Sequence, residues 1–267
     1  MRVLFIGDIV GSPGRHIVRE RLSDLIEVRQ IDLVIANGEN SASGFGITPK
    51  IAEELLGLGI EVITGGNHSW DRKEILEYLP HQPRLLRPAN FSPVNPGSGL
   101  FVGESKKGIK FAVLNVQGRV FLPSNDDPFK RADEELAKIP SDTDFVLVDM
   151  HAETTSEKIA LGWYLDGRVT AVVGTHTHVP TADEHVLPKG TAYITDVGMS
   201  GPHDGVIGMD RAAIIQKFLD GLPTRFEVAS GDIQMNAVLI ETDDTGSRND
   251  AGRLKAKSIE RLRLRID

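Results

Sequence analysis

Val172-Val173-Gly174-Thr175-His176-Thr177-His178 is a β-branched run that stops at a glycine and then offers two histidines one residue apart. A continuous apolar run of this kind reads as a buried strand, and the polar groups beyond it as the place where that strand opens into a site. On an extended backbone, side chains i and i+2 share a face, so His176 and His178 are expected to present both imidazoles to one place. That is the pattern of a metal-binding strand end. Imidazole alone leaves zinc, iron, manganese and copper open.

The same grammar recurs toward the N-terminus. Residues 3–7 form an apolar run bounded by Gly7-Asp8, which places Asp8 at a strand end. After the turn residues Gly11-Ser12-Pro13-Gly14, the spacing of Val18, Leu22, Leu25 and Ile26 follows one helical face. Residues 32–36 are the next strand, ending in Asn37-Gly38-Glu39-Asn40. Thr48-Pro49 supplies an N-cap and a first-turn proline for a helix over residues 51–58. A third strand, residues 60–64, runs into Gly65-Gly66-Asn67-His68, and a later one, residues 145–148, runs into Asp149-Met150-His151. Alternating strands and helices predict a parallel sheet, whose ligand crevice lies beyond the carboxyl ends of its strands. Asp8, Glu39, Asn40, Asn67, His151, His176 and His178 therefore fall along one edge.

The remaining segments suggest a second sheet. Residues 70–79 read as a helix, and Pro80, Pro83, Pro88, Pro93 and Pro96 mark an irregular crossing. Residues 100–104 and 109–115 form a hairpin, residues 126–139 and 153–165 are helical, and residues 169–173 are the strand before the histidine pair. A short strand at 192–195 precedes a glycine-punctuated loop at 196–205 and a helix at 209–219. Residues 225–228, 235–241 and 258–266 read as the last strands, with a polar loop at 242–252. The fold expected is α/β: a single domain over residues 1–267, built of two facing mixed β-sheets flanked by helices.

The totals narrow the chemistry. With 267 residues, 40% of them hydrophobic, and no internal repeat, the chain is long enough for one large core. It contains no cysteine, so any metal must sit on histidine, carboxylate, amide or backbone oxygen. A net charge of −8 argues against a general nucleic-acid binder. Arg261, Arg263 and Arg265 alternate with Leu262, Leu264 and Ile266, the pattern of a half-buried strand with a solvated basic face rather than an RNA-binding stripe. No apolar stretch reaches membrane-spanning length, and the run at residues 2–6 is too short for a signal-peptide core. A cytoplasmic protein with no membrane partner is expected.

Seven potential ligands exceed what one metal needs. Two divalent ions roughly 3.5 to 4 Å apart need a bridging carboxylate, for which Glu39 is the natural candidate. Such a pair activates water for in-line attack at phosphorus, and no protein nucleophile is required. The absence of cysteine and of a Gly-x-Ser-x-Gly elbow fits that chemistry.

Gly7-Asp8, Gly38-Glu39-Asn40, Gly66-Asn67-His68, His151 and Gly174-Thr175-His176-Thr177-His178 resemble, in order and spacing, the five blocks of the calcineurin-like metallophosphoesterases. The stretch from Asp149 to Lys158 and residues 195–209 are further similar to the YmdB-like branch of bacterial phosphodiesterases. The resemblance implies that Asp8 and His178, with Asn40 nearby, hold one metal, that Asn67, His151 and His176 hold the other, and that Glu39 bridges. It implies His68 as the general acid that protonates the leaving alkoxide. It also implies iron or manganese, with zinc compatible, and a homo-oligomer. The implied reaction is metal-hydroxide hydrolysis of a small phosphodiester, a 2′,3′-cyclic nucleotide or its 3′,5′ isomer. The alternatives are a phosphomonoesterase such as a nucleotidase, or a regulatory protein that binds a nucleotide, or less favourably RNA, without turning it over.

Two residues depart from the wider family. Val10 stands where a ligating histidine is usual, which brings Asn40 in as its replacement, and Ser69 stands where a carboxylate usually follows the Gly-Asn-His, leaving Asp71 as the substitute. His16, His81 and His185 read as surface or structural residues and His203 as a loop residue. Arg119 suits a surface ion pair as well as it suits a phosphate.

Overall fold

In the computed structural model, which describes residues 1–243 and 245–266, β1 (Arg2–Ile6) runs through the middle of the first sheet, and its last four residues are fully buried. The short β2 (Asp8–Ile9) leads into helix α1 (Gly11–Arg29), followed by β3 (Leu33–Asn37), α2 (Pro49–Gly57) and β4 (Val62–Thr64). A single turn of helix, α3 (Ile75–Tyr78), and a 3-10 turn (Leu79–His81) precede the proline-rich crossing. Then come β5 (Leu100–Glu104), β6 (Lys110–Gln117), α4 (Pro128–Leu136), β7 (Phe145–His151), α5 (Thr155–Leu165) and β8 (Ala171–Thr175). The chain closes with β9 (His185–Val186), β10 (Ala192–Ile194), β11 (Met199–Pro202), α6 (Arg211–Asp220), β12 (Ile233–Thr242) and β13 (Ala256–Arg265).

One sheet runs β2-β11-β12-β1-β3-β4, with β13 added to β12; the other runs β5-β6-β7-β8-β10-β9. Parallel pairs β1–β3, β3–β4, β6–β7, β7–β8 and β8–β10 point their carboxyl ends the same way within each sheet; β12 runs antiparallel to β1, β11 and β13, β2 pairs parallel with β11, and β5 and β9 are antiparallel edges of the second sheet. Val3, Phe5, Leu33 and Ile35 of the first sheet meet Phe111, Val113, Phe145 and Leu147 of the second, so the central core lies between the sheets. The alternate residues Leu4 and Ile6 face Ile17, Val18 and Leu22 of α1, while Val146 and Val148 face Leu161 and Leu165 of α5. The layers are helix, sheet, sheet, helix, as the alternating apolar runs require. Truncating one of the fully buried phenylalanines, such as Phe145, would cost about 3–5 kcal/mol.

Several elements differ from the sequence expectation. Gly11-Ser12-Pro13-Gly14 is the first turn of α1 rather than a loop before it; Pro13 sits where a helix has no partner for an N–H in any case. The helix expected over 70–79 shrinks to α3 because Arg72 turns back, donating from Nε to the Phe45 carbonyl and from Nη2 to the Ala42 carbonyl. The glycine-punctuated 196–205 segment contains β11, which pairs with β2 and β12. Residues 225–228 are not a strand: Val228 makes a lone bridge to Met209. The helix expected over 126–139 is confined to Pro128–Leu136, capped by Asp127. Asp244, in the polar 242–252 loop, lies outside the described residues. No helix among the described residues is long and apolar enough to cross a membrane.

Candidate metal centre

Each strand end delivers its side chain by a defined local device. Asp8 opens β2, whose pairing with Met199 of β11 fixes it in a fully buried position. Beyond β3, Asn37 Oδ1 accepts the Glu39 N–H at 3.1 Å and Ser41 Oγ donates to the Gly38 carbonyl at 2.7 Å, so the turn presents Glu39 and Asn40 together. Beyond β4, Ser69 Oγ accepts the Gly66 N–H and donates to the Gly66 carbonyl, closing the loop that carries Asn67. This is the work of the residue that stands in the family's carboxylate position. His151 is the last residue of β7.

The histidine pair departs from the extended geometry expected of it. β8 ends at Thr175, and His176 and His178 have φ of +101° and +64°, left-handed values rare outside glycine. Their rings therefore go to two different places. His176 Nδ1 lies 3.1 Å from His151 Nε2, whereas His178 Nε2 lies 3.8 Å from Asp8 Oδ1 and 3.1 Å from Asn40 Nδ2.

Two groups of donors result. Around His151 Nε2 stand Asn67 Oδ1 and Glu39 Oε1, each at 2.9 Å, and His176 Nδ1. Glu39, His151 and His176 place one ligand atom each within 4.8 Å of one another. The second group is Asp8, Asn40 and His178. Glu39 Oε1 lies between the groups, 3.4 Å from Asn40 Nδ2. All seven residues expected at the strand ends come together, and Glu39 holds the middle position.

The hydrogen bonds on the outer sides of the rings fix which nitrogen carries the proton. Thr175 Oγ1 donates to Asp149 at 2.7 Å and so accepts from His151 Nδ1 at 3.0 Å. His176 Nε2 meets Glu153 at 3.1 Å, and His178 Nδ1 donates to the Ile207 carbonyl at 2.9 Å. Each imidazole thus turns its lone pair inward, toward carboxylates and amides. Lone pairs on His151 and His176 only 3.1 Å apart repel unless a proton or a cation lies between them, and Asp8 Oδ1 is buried with no hydrogen-bond partner among the described residues. This donor set fits divalent cations.

The electrostatics agree. Burial disfavours the charged form of His151, yet the charge and hydrogen bond of Glu39 prevail and push it up to about 9, so a proton competes with a cation for its inward nitrogen. Burial likewise opposes ionisation of Glu39, but His151 and then His68 hold its carboxyl down at about 2. Burial raises Asp8, against the opposing pull of His178 and His151. Burial, and next the neighbouring His151, drive His176 down to about 3, which leaves it neutral. The centre draws in positive charge and keeps a neutral imidazole beside it.

A cavity of about 490 Å³ opens onto this cluster, lined by Glu39, Asn40, His176 and His178 together with the apolar Phe45, Ile207, Met209 and Phe226. His68 is on its wall. The His68 N–H donates to Glu39 Oε2 at 2.9 Å, its Nδ1 lies 2.8 Å from Asp71 Oδ2, and Phe45 packs edge-on against the ring. Val10 is buried against Gly201 and Gly208, away from the cluster. Arg119 pairs with Asp127 on the surface, His203 is held by the Gly201 carbonyl and Asn236, and His185 Nδ1 by the Asp183 carbonyl. The sequence reading overlooked Glu153, two residues past His151. Its sole signal was being the first acidic residue after that histidine, and nothing local shows that it turns to a ring 23 positions on.

Known proteins share this arrangement of the chain. A 2′,3′-cyclic-nucleotide 2′-phosphodiesterase of Bacillus subtilis (strain 168) is 51% identical over 267 residues, covering 100% of this chain and 98% of the relative. The crystal structure of a hypothetical protein from Thermus thermophilus superposes with a TM-score of 0.91 at 40% identity, covering all of both chains. A crystal structure described as a novel phosphatase from Mycoplasma pneumoniae gives a TM-score of 0.90 at 40% identity, covering 99% of this chain and 93% of that one. The family model described as YmdB-like protein matches residues 4–254, and with that extent of agreement the chain belongs to the YmdB-like family.

Proposed function

We propose that the protein is a metal-dependent phosphodiesterase that hydrolyses 2′,3′-cyclic nucleotides. The observation that carries the reading is the inward lone pair on each of three imidazoles, set around the bridging position of Glu39. Asp8, Asn40 and His178 would hold one divalent ion, Asn67, His151 and His176 the other, with Glu39 shared. Ions bound there supply Lewis acidity at a phosphoryl oxygen and lower the pKa of water. A nitrogen and oxygen donor set suits iron or manganese, with zinc as the alternative.

The chain's own residues do the rest. His68, with Nδ1 engaged by Asp71, has Nε2 as the ring atom for the leaving 2′-oxygen, and protonating that alkoxide is its proposed role. Phe45 and the His68 backbone contact with Glu39 fix the ring at the cavity wall. The apolar residues of the lining give a nucleobase a surface without charge. The choice of a 2′,3′-cyclic over a 3′,5′-cyclic substrate follows the activity of the Bacillus relative. The name of the Mycoplasma structure favours a second reading, a phosphomonoesterase.

Purified protein with manganese should convert 2′,3′-cyclic AMP to 3′-AMP, and Glu39→Gln should abolish that turnover. Activity on bis-p-nitrophenyl phosphate above that on p-nitrophenyl phosphate separates the diesterase from the monoesterase. Two bound metals per chain with no turnover of any phosphoester would overturn the reading.

A further inference from the structure

The buried ammonium of Lys158 takes no part in the chemistry above. Lys158 sits on α5 with its side chain 1% exposed, and its Nζ lies 2.6 Å from Oδ2 of Asp196, which is equally buried. That same oxygen accepts the Thr177 N–H at 3.1 Å and the Thr177 hydroxyl at 2.8 Å, while Oδ1 accepts the Gly198 N–H at 2.8 Å. An ionised carboxylate only accepts, so Asp196 can take all four donors at once. Thr177 is the residue between His176 and His178. Gly174 makes room for the arrangement: a Cβ there would stand 3.0 Å from Lys158 Cδ and collide with the Thr195 carbonyl. Neither member of the ion pair lines the cavity.

Two charges withdrawn from water are no better for stability than an apolar pair of similar volume, so the pair needs a geometric reason to be there. The reason lies in the backbone it grips. His176 and His178 both hold left-handed φ values that a non-glycine residue adopts only when its surroundings enforce them. Relaxed to an extended strand, positions 176 and 178 would point to one face, and one of the two donor groups would lose its imidazole.

We propose that Lys158 and Asp196 are a positioning pair: they clamp Thr177 so that His176 and His178 serve two different metal ions rather than crowding one. The inference rests on the dinuclear reading above. It assigns to a fully buried ion pair the task of dividing the histidines.

The test is manganese binding by isothermal titration, together with the electron paramagnetic resonance spectrum of the loaded protein and a melt in chelator. Lys158→Met/Asp196→Leu removes both charges, so no lone buried charge remains. The expected result is a cooperative melt in chelator, one manganese site weakened ~10–100-fold, and loss of the spin-coupled pair signal in favour of an isolated ion. Thr177→Val, which removes the hydroxyl's contacts with Asp196 and the Val179 backbone but keeps the Thr177 N–H on Asp196, should weaken the same site in the same direction by a smaller factor, and it decides the matter if the double variant does not fold. Two sites of wild-type affinity with an intact coupled signal in the folded variants would overturn the inference alone. A wild-type chain that takes up no manganese would overturn the dinuclear reading beneath it.

Discussion

Oε2 of Glu153 lies 3.1 Å from Nε2 of His176, on the far side of the ring from the Nδ1 that faces His151. A carboxylate in that place fixes the tautomer and raises the basicity of the inward nitrogen, and losing such a partner typically costs 10–100-fold in metal affinity. Glu153→Ala should therefore weaken manganese binding by about tenfold in a titration, with activity recovered at saturating metal. Unchanged affinity would show that the contact is incidental.

His68 tests the division between acid and ligand. If it protonates the leaving oxygen, His68→Ala should lower kcat on 2′,3′-cyclic AMP by about 10²–10⁴ while leaving metal content intact. The loss should be far smaller on bis-p-nitrophenyl phosphate, whose leaving group needs no proton. Equal losses on both substrates would assign His68 another role.

Gly66 is where the centre has no slack. A Cβ on that residue would collide with the His151 ring and with Glu39 Oε2, two of the closest-set donors in the cluster. Gly66→Ala should cost most of the bound metal by elemental analysis, and the displaced loop should take His68 with it. A variant with full metal content would show that the loop has room to shift.

Asp183 ties the loop after the histidines to β10. Burial raises its carboxyl, but hydrogen bonds from Thr181 and Thr195 outweigh that and hold it below the usual carboxylate range. The folded protein thus binds this proton less readily than the unfolded chain, whose carboxyl titrates near ~3.9. The stabilisation is present above that value and is lost as the pH falls through the folded-state value. Melts in chelator should show the wild type losing more stability between pH 5 and pH 3 than Asp183→Asn does; parallel curves would refute the assignment.

Much of this was legible in the chain. The apolar runs before Asp8, Glu39, Asn67 and His151 announce strands by composition alone, and Thr48 caps α2 at the Ile51 N–H as its position before Pro49 implies. What failed was set by distant partners. β11, with its Gly201 and Pro202, has little strand character, and only the edges offered by β2 and β12 make it one. Arg225 to Val228 has the right composition and no neighbouring ladder. The expected helix over 70–79 unwinds because Arg72 finds the carbonyls of Ala42 and Phe45, some 30 positions away. The histidine pair reaches the cluster on a left-handed backbone rather than the extended one its sequence implies, since nothing in the heptapeptide reveals that Asp196 holds Thr177.

Asp8, Glu39 and Asn67 hang from one sheet, while His151, His176 and His178 hang from the other. Cations held among them would act as the staples of a chain that has no cysteine from which to make any. A staple between Asp8 and His178 closes a loop of 170 positions, and long loops are where the entropy removed from the unfolded chain is greatest. Its strength, unlike that of a covalent bridge, rises and falls with the free concentration of the ion. For this sandwich, a chelator would be the counterpart of a reducing agent.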